Sequence, residues 1–176
     1  MNLSPLILLA EDSEDDELLF MDVLKRSGFT NPVFVVRDGE EAIAYLNGDF
    51  RYGDRERFPL PSILMLDLAL PKVNGWQVLQ WLKGHPGFEH ILVVVLTGSL
   101  RVQDLHSAYR LGARSYLSKP FTVDDLLNLE NANAKYFIRP PPSAAQSTIT
   151  PRKTRSRKRG SPHSATTHAA RPTGSA

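Results

Sequence analysis

A chain of 176 residues, 41% apolar, with 21 Lys+Arg against 19 Asp+Glu and no cysteine, fits one ordinary domain plus an appendage. Without cysteine there is no disulfide framework, no thiolate nucleophile and no Cys-ligated zinc or iron-sulfur centre. The longest apolar runs, Leu6 to Ala10 and Ile91 to Leu96, fall far short of the roughly 20 residues that cross a bilayer, so no membrane span is expected.

The N-terminus has no basic residue ahead of its apolar run and an acidic cluster straight after it. Those are the wrong flanks for an export signal, and a cytoplasmic location is the default expectation. The formal net charge of +2 hides an asymmetry. Residues 1–138 hold 13 basic and 19 acidic side chains, a net of −6, while residues 139–176 hold 8 basic and no acidic ones. The first segment has the size of a domain. The second, opening on Arg139-Pro140-Pro141-Pro142, is mostly Ser, Thr, Pro, Ala, Arg and Lys, without the apolar content that offsets the entropy of folding, and is expected to be disordered.

In chain order, the first strand is expected over Leu6 to Ala10 and the first helix over Asp15 to Ser27, stopped by Gly28. A strand at Val33 to Val36 and a short helix at Gly39 to Leu46 follow. The third strand spans Ile63 to Asp67, and the third helix, Gly75 to Lys83, sets Val78, Leu79 and Leu82 on one face. Ile91 to Leu96 reads as a strand, Val102 to Leu111 as a helix closed by Gly112, and Ser115 to Leu117 as the fifth strand. The last helix starts at Thr122, with Asp125 placed for a capping box, and its apolar stripe weakens after Leu129. The five histidines show no ligand spacing and are expected to be solvated. Strands alternating with helices predict a parallel sheet. Central strands apolar on both faces predict helices on both sides, an α/β doubly wound sandwich.

In such folds the ligand site lies beyond the carboxyl ends of the strands. The residues there are Glu11 and Asp12 after the first strand, Asp67 ending the third, Thr97 after the fourth and Lys119 after the fifth. Carboxylates brought together repel one another and call for a cation. Mg²⁺ suits them, since it takes oxygen ligands at roughly 2.1 Å and keeps waters that an incoming phosphate can replace. No histidine or cysteine stands at these ends, which argues against zinc. Lys119 adds a mobile positive charge and Thr97 a neutral hydroxyl. The set reads as a phosphoryl-transfer site in which Asp67 is the nucleophile and Glu11 and Asp12 are metal ligands.

The blocks Leu-Leu-Ala-Glu11-Asp12, Leu-Met-Leu-Asp67-Leu-Ala-Leu-Pro71-Lys72-Val-Asn-Gly75, Val-Leu-Thr97-Gly98-Ser99, Gly112-Ala113 and Tyr116-Leu117-Ser118-Lys119-Pro120-Phe121, in this order, resemble the receiver domain of two-component response regulators over about residues 4–130. The resemblance implies a flavodoxin-like sheet of order 2-1-3-4-5 and a phosphoryl group accepted on Asp67 from a sensor histidine kinase or phosphotransfer protein. It implies Mg²⁺ held by Asp12, Asp67 and the carbonyl of Ala69, with Glu11 acting through water. Thr97 and Tyr116 become the switch pair, Lys119-Pro120 a cis peptide, and the face of helix four, strand five and helix five the output surface. Self-phosphorylation and autodephosphorylation are the only reactions implied. The long connection Asn47 to Pro61 resembles that of small stand-alone receivers that partner bacterial phytochromes. A homodimer is left open.

The tail supports a second reading. Arg152, Lys153, Arg155, Arg157, Lys158 and Arg159 put six cations in eight residues, enough to contact a nucleic-acid phosphate backbone without reading sequence.

Overall fold

The computed structural model describes residues 4–98 and 102–140. Ser99 of the third block and the basic run at 152–159 lie outside the described residues. The elements are β1 (Ser4–Ala10), α1 (Glu14–Arg26), β2 (Val33–Val36), α2 (Gly39–Asn47), β3 (Pro61–Asp67), α3 (Gly75–Lys83), β4 (Leu92–Thr97), α4 (Val102–Arg110), β5 (Ser115–Ser118) and α5 (Val123–Asn133). Every expected strand and helix is present, and each expected end is moved by no more than two residues.

The five strands are parallel, in the order β2-β1-β3-β4-β5. β3 is buried along its whole length, and its side chains divide by the period of two. Leu64 and Leu66 join the core beneath α2 and α3, while Ile63 and Met65 join the core beneath α1 and α5. Each such side chain, taken fully out of water, contributes about 1.5–3 kcal/mol, so the central strands hold both layers.

The helix starts are cut by the side chains that precede them. Ser13 Oγ accepts from the Asp16 amide, Asp38 Oδ1 from the Glu41 amide, and Asn74 and Gln77 form a capping box. The box expected at Thr122 and Asp125 is present. Two glycines are required by close approach: a Cβ on Gly75 would lie 2.3 Å from the Asp67 carbonyl oxygen, and one on Gly39 2.0 Å from that of Val73. The β3–α3 loop is therefore pressed against both its own strand and the β2–α2 turn.

Two expectations are corrected, the solvation of all the histidines and the start of the tail at Arg139. α5 runs to Asn133 with only Leu126 and Leu129 buried, so its apolar stripe fades after Leu129 as expected, and after a turn at Ala134–Tyr136 the chain returns Tyr136 and Phe137 to the core. Asn31 holds this return: its Nδ2 donates to the carbonyls of Pro5 (2.7 Å) and Tyr136 (2.9 Å), and its Oδ1 accepts from the Ile138 amide (2.8 Å). The histidines are not uniformly solvated. His85 stacks on Trp81 with ring centroids 4.1 Å apart, and His90 is partly buried. The long 47–61 connection joins the core, where Tyr52 and Phe58 pack with Phe34 and Tyr45, and Arg55 donates to the carbonyls of Tyr45 and Leu46 at the end of α2. Arg139, read from sequence as the first tail residue, is tied to the domain through Glu130 (2.9 Å) and the Ser27 carbonyl (3.2 Å).

Asn31→Ala strips three hydrogen bonds from buried backbone groups and is expected to destabilise the domain by about 2–3 kcal/mol, read as a lower urea midpoint at unchanged slope.

Candidate functional site

Parallel register brings the strand ends to one level. Ala10 pairs with Leu66, so Glu11 stands beside Asp67. Asp67 pairs with Leu96, and Thr97 with Ser118, so Thr97 and Lys119 each follow one residue beyond their neighbour. Backbone bonds continue past the strands, from the Glu11 amide to the Val36 carbonyl (3.0 Å) and from the Lys119 amide to that of Thr97 (2.8 Å). The Lys119-Pro120 peptide is cis, as the resemblance implied.

At the centre lies Lys119. Its Nζ donates to Asp67 Oδ2 (2.5 Å), Glu11 Oε2 (2.6 Å) and Asp16 Oδ2 (2.9 Å), which uses all three of its protons. Glu11 is 1% exposed, Asp67 7% and Thr97 6%, whereas Asp12 is open to solvent. The second Asp67 oxygen accepts from the Ala69 amide at 2.8 Å, and the Ser13 amide donates to Glu11 Oε1 at 3.2 Å. Burial, together with the charge of Asp67, holds the Glu11 carboxyl above the usual glutamate range, although Lys119 opposes the shift. For Lys119, burial works against the charge, but the bonds from Asp67, Glu11 and Asp16 outweigh it and keep the ammonium above the usual lysine range.

One carboxylate oxygen from each of Glu11, Asp12 and Asp67 falls within 4.8 Å of the others. The donors are all hard oxygens, two of them at the end of one strand, and such a set fits a divalent cation. The chain's own compensation is a single lysine amid four acids, which leaves negative charge for a cation to balance.

Of the residues picked from sequence, Glu11, Asp12, Asp67 and Lys119 are brought together. Thr97 lies at the same edge by register, and Ala69 reaches Asp67 through its amide. Tyr116 is not in this group: it pairs with Val95 one strand further out and is 37% exposed.

Asp16, one of the acidic cluster that follows the first apolar run, is a site residue that the sequence reading misses. It sits in the first turn of α1, directly beyond the acidic strand end, and that placement was the available signal. A second pair was also missed. Lys72, held at φ +59°, reaches back to Asp38 (2.5 Å), a buried N-cap, and so ties the loop after Asp67 to the β2–α2 turn. Burial opposes the Asp38 charge, but Lys72 and two backbone amides hold its pKa below the ordinary aspartate value. Arg37 pairs with Glu17 and donates to the Glu11 carbonyl (3.3 Å), which braces the end of β1.

Comparison with known proteins agrees with this geometry. The response regulator receiver domain model matches residues 7–130. Response regulator Rcp1 of Synechocystis sp. is 38% identical over 132 residues, which are 75% of this chain and 88% of that protein. Among solved structures, the bacteriophytochrome response regulator AtBRR aligns with a TM-score of 0.68 at 36% identity, covering 81% of this chain and all (100%) of that one. The Mn(2+)-bound form of Rcp1 aligns at 0.61 with 34% identity over 82% of this chain and 96% of that one, so a relative holds a divalent cation. Matched in sequence over most of its length, in sheet order and in the acidic edge around a lysine, this chain belongs to the response regulator receiver domain family and is related to its phytochrome-associated members.

Proposed function

We propose that Asp67 accepts a phosphoryl group from a phosphohistidine of a sensor kinase, of the phytochrome type, in a reaction that requires Mg²⁺. The observation that carries this reading is the contact of Lys119 Nζ with Asp67 Oδ2 inside a cluster of carboxylates that suits a hard cation. When bound, Mg²⁺ supplies charge neutralisation for the oxygens of the transferred group, and Glu11, Asp12, Asp67 and the Ala69 carbonyl would hold it. Asp67 forms the new P–O bond as the bond to the donor nitrogen breaks, the electron pair leaving with the imidazole. Lys119 follows the charge from the carboxylate to the phosphoryl oxygens. The Ala69 amide holds the other oxygen of the Asp67 carboxylate in place while this happens. Phosphorylation adds about 1.5 to 2 negative charges, which draw the Thr97 hydroxyl inward and let Tyr116 leave its exposed position. Among the described residues no helix is long and apolar enough to cross a membrane.

The test is incubation with a small acyl phosphate, with Mg²⁺ or with a chelator, followed by intact-mass measurement. A single phosphoryl adduct that needs the metal supports the proposal; no adduct in either arm overturns it.

The kinase surface is read from α1, which begins beside the acidic edge and exposes Leu18 (67%) and Met21 (42%), one turn apart. Leu18→Glu is expected to slow transfer from the kinase about tenfold and leave phosphorylation by the small donor unchanged. Lys72→Ala releases the loop after Asp67 and is expected to slow both reactions about threefold or more, with Lys72→Arg restoring them.

A further inference from the structure

At the opposite end of the sheet lies a separate hollow. A cavity of about 260 Å³ is lined by Pro5, Ser62, His90, Arg114, Lys135 and Tyr136. Pro5 and Ser62 are the second residues of β1 and β3, while His90 and Arg114 precede β4 and β5, so the hollow sits at the amino ends of the strands. Ser62 and Asp67 stand five positions apart along β3, roughly 16 Å at strand rise. The two sites do not overlap.

The lining contains two cations, an imidazole and two hydroxyls, and no acid. This is the reverse of the rest of the domain, which carries a net of −6 over residues 1–138. Arg114 spends one N–H on the Glu89 carbonyl (3.0 Å), and Lys135 lies over the Tyr136 ring at 4.8 Å. Neither has a carboxylate within ion-pair distance among the described residues. The Tyr136 hydroxyl donates to the His90 carbonyl at 3.2 Å and fixes the floor. His90 Nε2 is cut off from solvent and has no hydrogen-bond partner, a deficit that costs about 1–3 kcal/mol in a folded protein unless it is met. Like charges gathered round a concavity repel, and a bound anion reverses the sign of that interaction.

We propose that this hollow binds a small phosphate-type oxyanion, with Arg114 and Lys135 as the cationic clamp. Arg114 presents its remaining guanidinium N–H groups in the planar fork that suits two oxygens of one phosphate, and Lys135 adds a point charge. The volume admits free inorganic phosphate or the phosphate group of a small metabolite.

The experiment uses the full chain in a chelator, so that the acidic edge holds no metal, and follows backbone amides and the His90 ring by NMR. Inorganic phosphate and a nucleoside monophosphate are titrated against chloride at matched ionic strength. Saturable shifts at Arg114, Lys135, Tyr136 and His90, weakened about tenfold or more in Arg114→Gln and in Lys135→Gln, support the site. Equal affinity for the two ligands identifies free phosphate as sufficient, and tighter binding of the monophosphate identifies a metabolite. Both side chains are exposed, and an unchanged spectrum elsewhere shows that the variants fold. Shifts confined to residues 152–159, shifts that chloride reproduces, or the same affinity in both variants overturn the proposal.

Discussion

Asp67→Asn is expected to remove the phosphoryl adduct completely: the mass gain of about 80 Da shown by the wild type after treatment with Mg²⁺ and an acyl phosphate is absent from the variant. The substitution keeps the shape of the side chain and its acceptor oxygen toward the Ala69 amide, so the loop after β3 stays in place. It replaces the attacking carboxylate oxygen by an amide, which is not a nucleophile at neutral pH. It also takes one carboxylate from the set of three that fits a divalent cation, so the rise in melting temperature on adding Mg²⁺ shrinks. An adduct of undiminished yield in Asp67→Asn would move the acceptor elsewhere. The stability readout then separates loss of the metal from loss of the nucleophile.

Lys119→Met is the second large effect, and it has two parts. Without a divalent cation, Glu11 and Asp67 stay buried side by side with their shared counter-charge gone, and removal of one partner from such a network destabilises by about 3 kcal/mol. The loss is smaller at low pH. The Glu11 pKa is already raised in the folded state, so the fold takes up this proton more readily than the unfolded chain does. Stability from this group is therefore present below the unfolded glutamate value and is lost as pH rises through the folded one. Mg²⁺ restores part of the loss by supplying the missing positive charge. Phosphorylation falls by about a hundredfold even at saturating Mg²⁺, because a preorganised donor to the developing phosphoryl charge is gone. Urea titrations with and without the metal, and the initial rate of adduct formation, read the two parts separately. A variant as stable and as reactive as the wild type would show that Lys119 only decorates the edge.

Asp16 and Lys72 mark how far a linear reading reaches. Glu11, Asp12, Asp67, Thr97 and Lys119 were legible because parallel strands all end at the same edge, so residue type and position at a strand end were enough to gather them. Asp16 was not, because a carboxylate in the first turn of a helix has a sufficient local role, and only the position of Lys119, 103 residues away, shows its other one. Lys72 and Asp38 meet because Gly39 and Gly75 let one loop press on another, a contact without any periodic trace.

What the sequence determined by itself was the alternation of elements, their caps, the two-sided burial of the sheet and the edge at which the chemistry gathers. These follow from periods of 2 and 3.6 and from strand ends, which are local properties. Tertiary structure alone decided that Tyr52 and Phe58 in the long connection join the core, and that Tyr136 and Phe137 return to it under Asn31. It also decided that Arg114, Lys135 and His90 share one cavity. Each of these depends on partners tens of residues apart whose pairing carries no local signal, and the free energy that selects them is that of packing and of hydrogen bonds closed across the fold.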